Sequence, residues 1–274
     1  MRHSLFKYFF ERKWAEAFLD GQVLFRSLSY FRDYEDESIR SDQNEGVARF
    51  RPAGGMVVNN LTQGTTFTLP GHAFESVAKQ DEIFVFCASK SHSDERRKKF
   101  EAVVCVEVQN IKGFCERIKA ALPASATFYG RRVDYYRDSE GGNPRWALPE
   151  NIATSKLSTY AWQDEYRLVF SLTNALTFEN VNPRLVADGA AHPPRQSDHP
   201  KYLVEARSLR DICQLREFKG APRSPSLGKP SGQERSRAKQ RAAMRAGITK
   251  RICRDRIESL CPLNPGPLTS GGVL

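Results

Sequence analysis

The chain has 274 residues, 40% of them hydrophobic and 11% aromatic, with a formal net charge of +10. That length suffices to bury a real core, and no apolar run approaches the span of a bilayer, so no membrane role is expected. The six cysteines (Cys87, Cys105, Cys115, Cys213, Cys253 and Cys261) are scattered, with no Cys-x-x-Cys pair and no His at ligand spacing. This argues against a zinc site or a disulfide scaffold and for a reducing compartment. No apolar stretch of signal-peptide length follows Met1, and the expected location is the cytoplasm.

Leu5 to Phe10 reads as a short strand carrying Lys7 and Tyr8. A helix is predicted from Glu11 to Asp20, with Trp14, Ala15, Phe18 and Leu19 on one stripe and Gly21 as its stop. Gln22 to Ser27 is a second strand, and Leu28 to Tyr34 is an aromatic, charged segment. An acidic stretch follows, Glu35 to Glu45, ended by Gly46. Further strands are predicted at Ala48–Arg51, Thr65–Leu69, Glu82–Ala88, Ala102–Val108 and Arg131–Tyr136. Between the last two, Asn110 caps a helix whose apolar face is Ile111, Phe114, Cys115, Ile118 and Leu122.

Read as a strand, Tyr160 to Phe170 sorts into two faces, because side chains alternate along a strand. Trp162, Tyr166, Leu168 and Phe170 fall on the apolar side; Gln163, Glu165 and Arg167 fall on the polar side, and Asp164 is out of place. A Pro-rich loop is expected from Asn182 to Pro200, then a strand at Tyr202–Glu205 and a short helix near Leu209–Leu215.

From Lys219 the composition changes. Lys219 to Gly232 is rich in Pro, Ser and Gly and reads as a linker. Glu234 to Leu260 is a possible basic helix, and the end from Cys261 reads as loose. Residues 219–274 hold twelve Lys and Arg against three acids, a net +9, which leaves about +1 for the first 218 residues. The organisation is a mixed α+β domain over 1–218 with a basic extension over 219–274.

Three constellations bear on function. Gln163 and Glu165 aim a carboxamide and a carboxylate at the same space, against the simpler reading of two polar residues on a surface strand with Arg167 paired to a neighbouring strand. The acidic run Asp33 to Glu37, with Asp42 and Glu45, invites a metal-dependent nuclease, but it lacks regular ligand spacing and reads as a solvated loop. No metal is expected. His3, His72, His92, His192 and His199 sit in separate contexts and are assigned no chemistry. In the tail, Arg235, Arg237, Lys239, Arg241, Arg245, Lys250 and Arg251 are dense enough to neutralise several phosphates of DNA or RNA. No aromatic lies between Ser231 and Leu260, so this is backbone attraction without base stacking.

Lys7-Tyr8 on an early strand, Ser27-Leu28-Ser29-Tyr30 at the end of a second, and a late Gln163-Asp164-Glu165 follow one another in an order that resembles the ADP-ribosyltransferase fold. The chain is also similar to small bacterial toxin and phage-defence families suspected of that fold. The resemblance covers roughly positions 5 to 170 and implies a split β-sheet core with a few helices. It implies an enzyme that takes NAD as its substrate, with Glu165 as the catalytic carboxylate and Gln163 orienting the acceptor. Glutamine at that position goes, in the family, with acceptors other than arginine: carboxamides or nucleobases. Lys7, Tyr8, Ser27 and Ser29 would bind NAD, with Arg26 or Arg32 as diphosphate contacts and Tyr30 as a stacking residue. Many members carry Arg or His where this chain has Lys7. An antitoxin or regulatory protein would be a partner. The rival expectation is a non-catalytic nucleic-acid-binding or regulatory protein working through the basic tail; an NAD glycohydrolase is a further alternative.

Overall fold

The computed structural model describes residues 4–33, 44–140, 144–187, 190 and 198–218. The chain divides into two compact units, Met1–Ala221 and Pro222–Leu274. The second, with the basic residues from Arg235 to Arg251, lies outside the described residues.

In β1 (Leu5–Phe9), Leu5 and Phe9 enter one apolar cluster while Phe6 and Tyr8 enter another on the opposite face. Helix α1 (Arg12–Leu19) buries Ala15, Phe18 and Leu19, whereas Trp14, expected on the same stripe, is half exposed. Gly21 ends it at φ +99°, where a Cβ would lie 2.1 Å from the Ala206 carbonyl oxygen, so only glycine fits. β2 (Gln22–Ser27) runs straight into α2 (Leu28–Asp33). β3 (Val47–Phe50) follows Gly46, and β4 (Met56–Asn60) with β5 (Thr65–Leu69) forms an exposed hairpin. β6 (His72–Val77) and β7 (Phe84–Ser89) lead to α3 (Asp94–Lys99), whose cap Ser93 accepts from the Arg96 amide.

β8 (Val104–Val108) precedes α4 (Ile111–Ala121), capped as expected: the Asn110 side chain accepts from the Gly113 amide at 2.9 Å. The single strand expected over Arg131–Tyr136 is divided by Val133 into the end of β9 (Thr127–Arg132) and β10 (Asp134–Tyr136). Then come α5 (Pro149–Ile152), β11 (Ser155–Leu157), β12 (Glu165–Ser171), β13 (Asn182–Ala187), β14 (Lys201–Glu205) and β15 (Cys213–Glu217).

The fold is α+β with mainly antiparallel pairing, and β7 is the hub of its eight-stranded sheet. One edge of β7 pairs along its whole length with β12, which pairs in turn with β9. The other edge is shared. β2 takes the Phe84 end through Arg26↔Val85 and Ser27↔Phe84, and β1 takes the far end through Phe6↔Ser89. β14 extends the β2 arm; β8 and β15 extend the β1 arm. The sheet therefore forks at β7. Cys87 falls between the two bridges, where its backbone carbonyl needs another donor; Lys7 Nζ supplies it at 2.7 Å. One face of the sheet buries Phe18, Phe25, Phe86, Phe114 and Phe170 with α1 and α4. The other packs Leu28, Ile83, Val85 and Val169 against Ala48, Trp146 and Ile152.

Three expectations change. Tyr160 to Gln163 is not strand: Ser158–Gln163 is a 3-10 helix, and Asp164 takes the left-handed conformation at φ 48°. Ser91 Oγ donates to the Asp164 carboxylate at 2.6 Å and Lys90 pairs with it at 2.8 Å, which holds the turn. Trp162 consequently leaves the expected core face and packs on Phe100 with Lys99 over its ring. The loop expected from Asn182 begins with β13, where Pro183 is tolerated on an edge strand because, among the described residues, β13 pairs only with β6. The helix expected near Leu209–Leu215 is replaced by β15, since Cys213 to Glu217 complete the edge of β8.

Candidate functional site

Glu165 opens β12 immediately after the left-handed turn, and its amide donates to Tyr135 Oη at 2.8 Å. Arg167, two residues on, shares its face. Arg167 Nε donates to Glu165 Oε2 at 2.8 Å, Nη1 to the Ala153 carbonyl at 2.7 Å, and Nη2 to Glu45 Oε2 at 3.0 Å. A second contact, from Nη1 to Glu45 Oε1, makes the Glu45 pairing bidentate. Lys156, from β11, donates to Gln163 Oε1 at 2.8 Å and lies 3.5 Å from Glu165 and 3.7 Å from Glu45. Two cations and two carboxylates thus form a neutral quartet with a carboxamide attached.

Isolated charges at this depth would be costly, and mutual pairing is what permits the burial. The Glu45, Arg167 and Lys156 side chains are 0%, 1% and 3% exposed, while that of Glu165 is 10% exposed. Glu165 is the least buried of the four. Burial alone would raise its carboxyl, but Lys156 and Arg167 outweigh that and hold it at about 2. Burial lowers Arg167, and Glu45 with Glu165 more than reverse it, to well above the ordinary guanidinium value. Cys87, the cross-strand partner of Arg167, has its thiol pushed up to about 11, chiefly by burial, and is not a nucleophile at neutral pH. A carboxylate with a value near 2 does not shuttle protons at neutral pH. It stays ionised, with its charge answered by Arg167 and Lys156.

Gln163 and Glu165 are brought together as the sequence suggested, although through a shared ammonium rather than a shared strand. The other residues expected at the site form separate groups. Lys7 sits in the fork, its Nζ on the Cys87 carbonyl and 4.5 Å from the Phe86 ring centroid. Tyr8 points to the other side of β1, where Phe218 stacks on it at 6.1 Å and its hydroxyl accepts from the Ser93 amide at 2.9 Å. Ser27 and Ser29 share a hydrogen bond of 2.8 Å and are fully buried. Ser27 opposes Phe84 while Glu165 opposes Ser89, which puts roughly 16 Å of β7 between them. Arg26 lies over the Tyr30 ring at 4.5 Å, and Arg32 chelates Asp33 at 2.6 and 2.7 Å.

Sequence reasoning missed Glu45, Lys156 and His199. The acidic stretch reads as a solvated loop, yet Glu45 is buried against Arg167. Two signals pointed to it: an inward Arg167 needs more acceptors than Glu165 provides, and Gly46 follows directly, at φ +75°. His199 Nδ1 lies 3.2 Å from Ser29 Oγ, a contact between residues 170 apart that no local pattern reveals.

Beside the quartet opens a cavity of about 520 Å³ whose lining includes Arg131, Arg132, Asp134, Asn151, Thr154 and Ser155. It is tied to the site through the backbone: the Val133 amide donates to the Glu165 carbonyl at 3.1 Å, and Thr154 and Ser155 lead into Lys156. Among the described residues no cluster of His, Cys, Asp and Glu has metal-binding form. No helix among them is long and apolar enough to cross a membrane. No family model, curated protein or solved structure matches the chain.

Proposed function

We propose that this chain is an ADP-ribosyltransferase that consumes NAD, with Glu165 as its catalytic carboxylate. The observation that carries the reading is the state of Glu165: ionised, held near 2 by Lys156 and Arg167, and the least buried side chain of the quartet. Cleavage of the bond between nicotinamide and ribose expels neutral nicotinamide and leaves positive charge on the ribose C1′ and ring oxygen. A fixed carboxylate beside that sugar favours the transition state over the ground state. The acceptor then bonds to C1′ and releases its proton to water. Gln163, whose Oε1 accepts from Lys156 next to Glu165, is the residue assigned to orient an uncharged acceptor on a nucleic acid or a protein side chain other than arginine.

A second reading is favoured by one observation: the quartet is charge-balanced and nearly closed. On that reading it is a structural clasp, and the protein acts as a non-catalytic partner through its basic extension.

Nicotinamide release from NAD by the purified full chain, with a nucleic-acid mixture and a protein lysate as acceptors, tests the two. The enzyme reading expects release that falls about a hundredfold or more in Glu165→Gln, a change that keeps size and one acceptor oxygen. Absence of release from folded protein under all conditions overturns it in favour of the clasp.

A further inference from the structure

We propose that the outer edge of β14 pairs with the same edge of a second copy of this chain, joining the two sheets across a two-fold axis at Leu203. Among the described residues, β14 ends the eight-stranded sheet and pairs with β2 alone. An uncovered strand edge is a template for another strand, and in a two-fold pairing every contact from i to j is repeated from j to i.

The backbone sets alternate residues of β14 outward. The Ser27 amide donates to the Pro200 carbonyl at 3.1 Å, and the Ala206 amide donates to the Gly21 carbonyl at 2.9 Å. Hydrogen-bonded and non-hydrogen-bonded pairs alternate along an antiparallel ladder. Positions 200, 202, 204 and 206 therefore bond to β2, while Lys201, Leu203 and Glu205 direct their N–H and C=O groups to the open edge. An antiparallel second copy centred on Leu203 sets Leu203 opposite Leu203 and Lys201 opposite Glu205. Every outward residue of the strand then falls in a hydrogen-bonded pair.

The side chains fit that register. Lys201 and Glu205 are exposed and form no ion pair among the described residues. Lys201 stands directly across from Arg26, a like charge on the neighbouring strand, and a carboxylate on its other side relieves the repulsion. Leu203 and its cross-strand neighbour Leu24 are 48% and 42% exposed. Pairing sets the leucines of both copies in one continuous row, because opposed residues share a face. The other end of the sheet lacks this fit. β15 is also an edge, but Arg12 holds Glu217, and Arg216 donates to Glu107 at 2.8 Å, so its charges are answered within the chain. A lone edge lysine keeps strands apart; Lys201 and Glu205, placed symmetrically about Leu203, admit a copy of themselves. The pairing is independent of the NAD chemistry proposed above.

Sedimentation of the full-length protein over a concentration series reads this out, at low ionic strength, where exposed pairs are least screened. The wild type is expected to form a reversible dimer. Lys201→Glu and Glu205→Lys each set like charges opposite one another at both ends of the pairing. Each is expected to weaken the dimer about tenfold or more, with unchanged circular dichroism. The double variant Lys201→Glu/Glu205→Lys keeps the wild-type net charge and is expected to regain the wild-type affinity, which a fold-damaging change would not do. A wild type that stays monomeric up to about 1 mM overturns the proposal. So does a dimer that ignores both single reversals, or a double variant as weak as the singles.

Discussion

Arg167 and Arg131 are direct cross-strand partners on β12 and β9, one peptide ladder apart, yet they live in opposite electrostatic conditions. Arg167 is buried and answered by Glu45 and Glu165. Arg131 sits at a cavity wall, donates to the Asn151 carboxamide and lies over the Tyr129 ring, with no carboxylate partner among the described residues. The same side chain is structural where its charge is matched and available to a ligand where it is not. Burial forces matching, because an unpaired buried charge costs several kcal/mol; the open cavity imposes no such demand.

The sharpest way to break the comparison is at its buried end. Arg167→Met leaves Glu45 and Glu165 facing each other with only Lys156 between them, and is expected to cost about 3–5 kcal/mol in urea unfolding. A loss below about 1 kcal/mol would show that the quartet relaxes without its guanidinium.

Acid supplies the next effect. Glu165 has a folded value near 2 against an ordinary 4.5, so its contribution is complete above 4.5 and is lost as pH falls toward 2. The linked stability is about 3 kcal/mol. Denaturation midpoints measured between pH 6 and pH 2.5 should fall steeply below 4.5, and Glu165→Gln should remove that share of the slope.

Lys7→Met, which leaves the Cys87 carbonyl in the fork without its donor, is expected to cost about 1–3 kcal/mol by thermal unfolding. A neutral outcome would mean that the two arms close over the gap. Smallest is Arg132→Ala at the open end, expected within about 0.5 kcal/mol of wild type by the same measurement. A larger loss would make Arg132 structural and erase the contrast with Arg167.

Local chemistry sufficed for several elements. Leu5 to Phe9, Gln22 to Ser27 and Thr65 to Leu69 declare their strands by composition, and Asn110 declares its helix by capping. Glu165 and Arg167 declare a shared face by strand alternation alone, a property of the backbone that needs no partner. The rest depended on contacts distant in sequence. Glu45 and Arg167 are 122 residues apart, and only the tertiary fold brings them together. Asp164 leaves the strand because Lys90 and Ser91 capture it. Cys213 to Glu217 became a strand because β8 had an unfilled edge. Sequence by itself determined the α+β character and the shared face of Glu165 and Arg167; only the tertiary structure brought Gln163 to Glu165 through Lys156 and decided which charges meet, because burial and long-range pairing, not local pattern, set the energy of a charge.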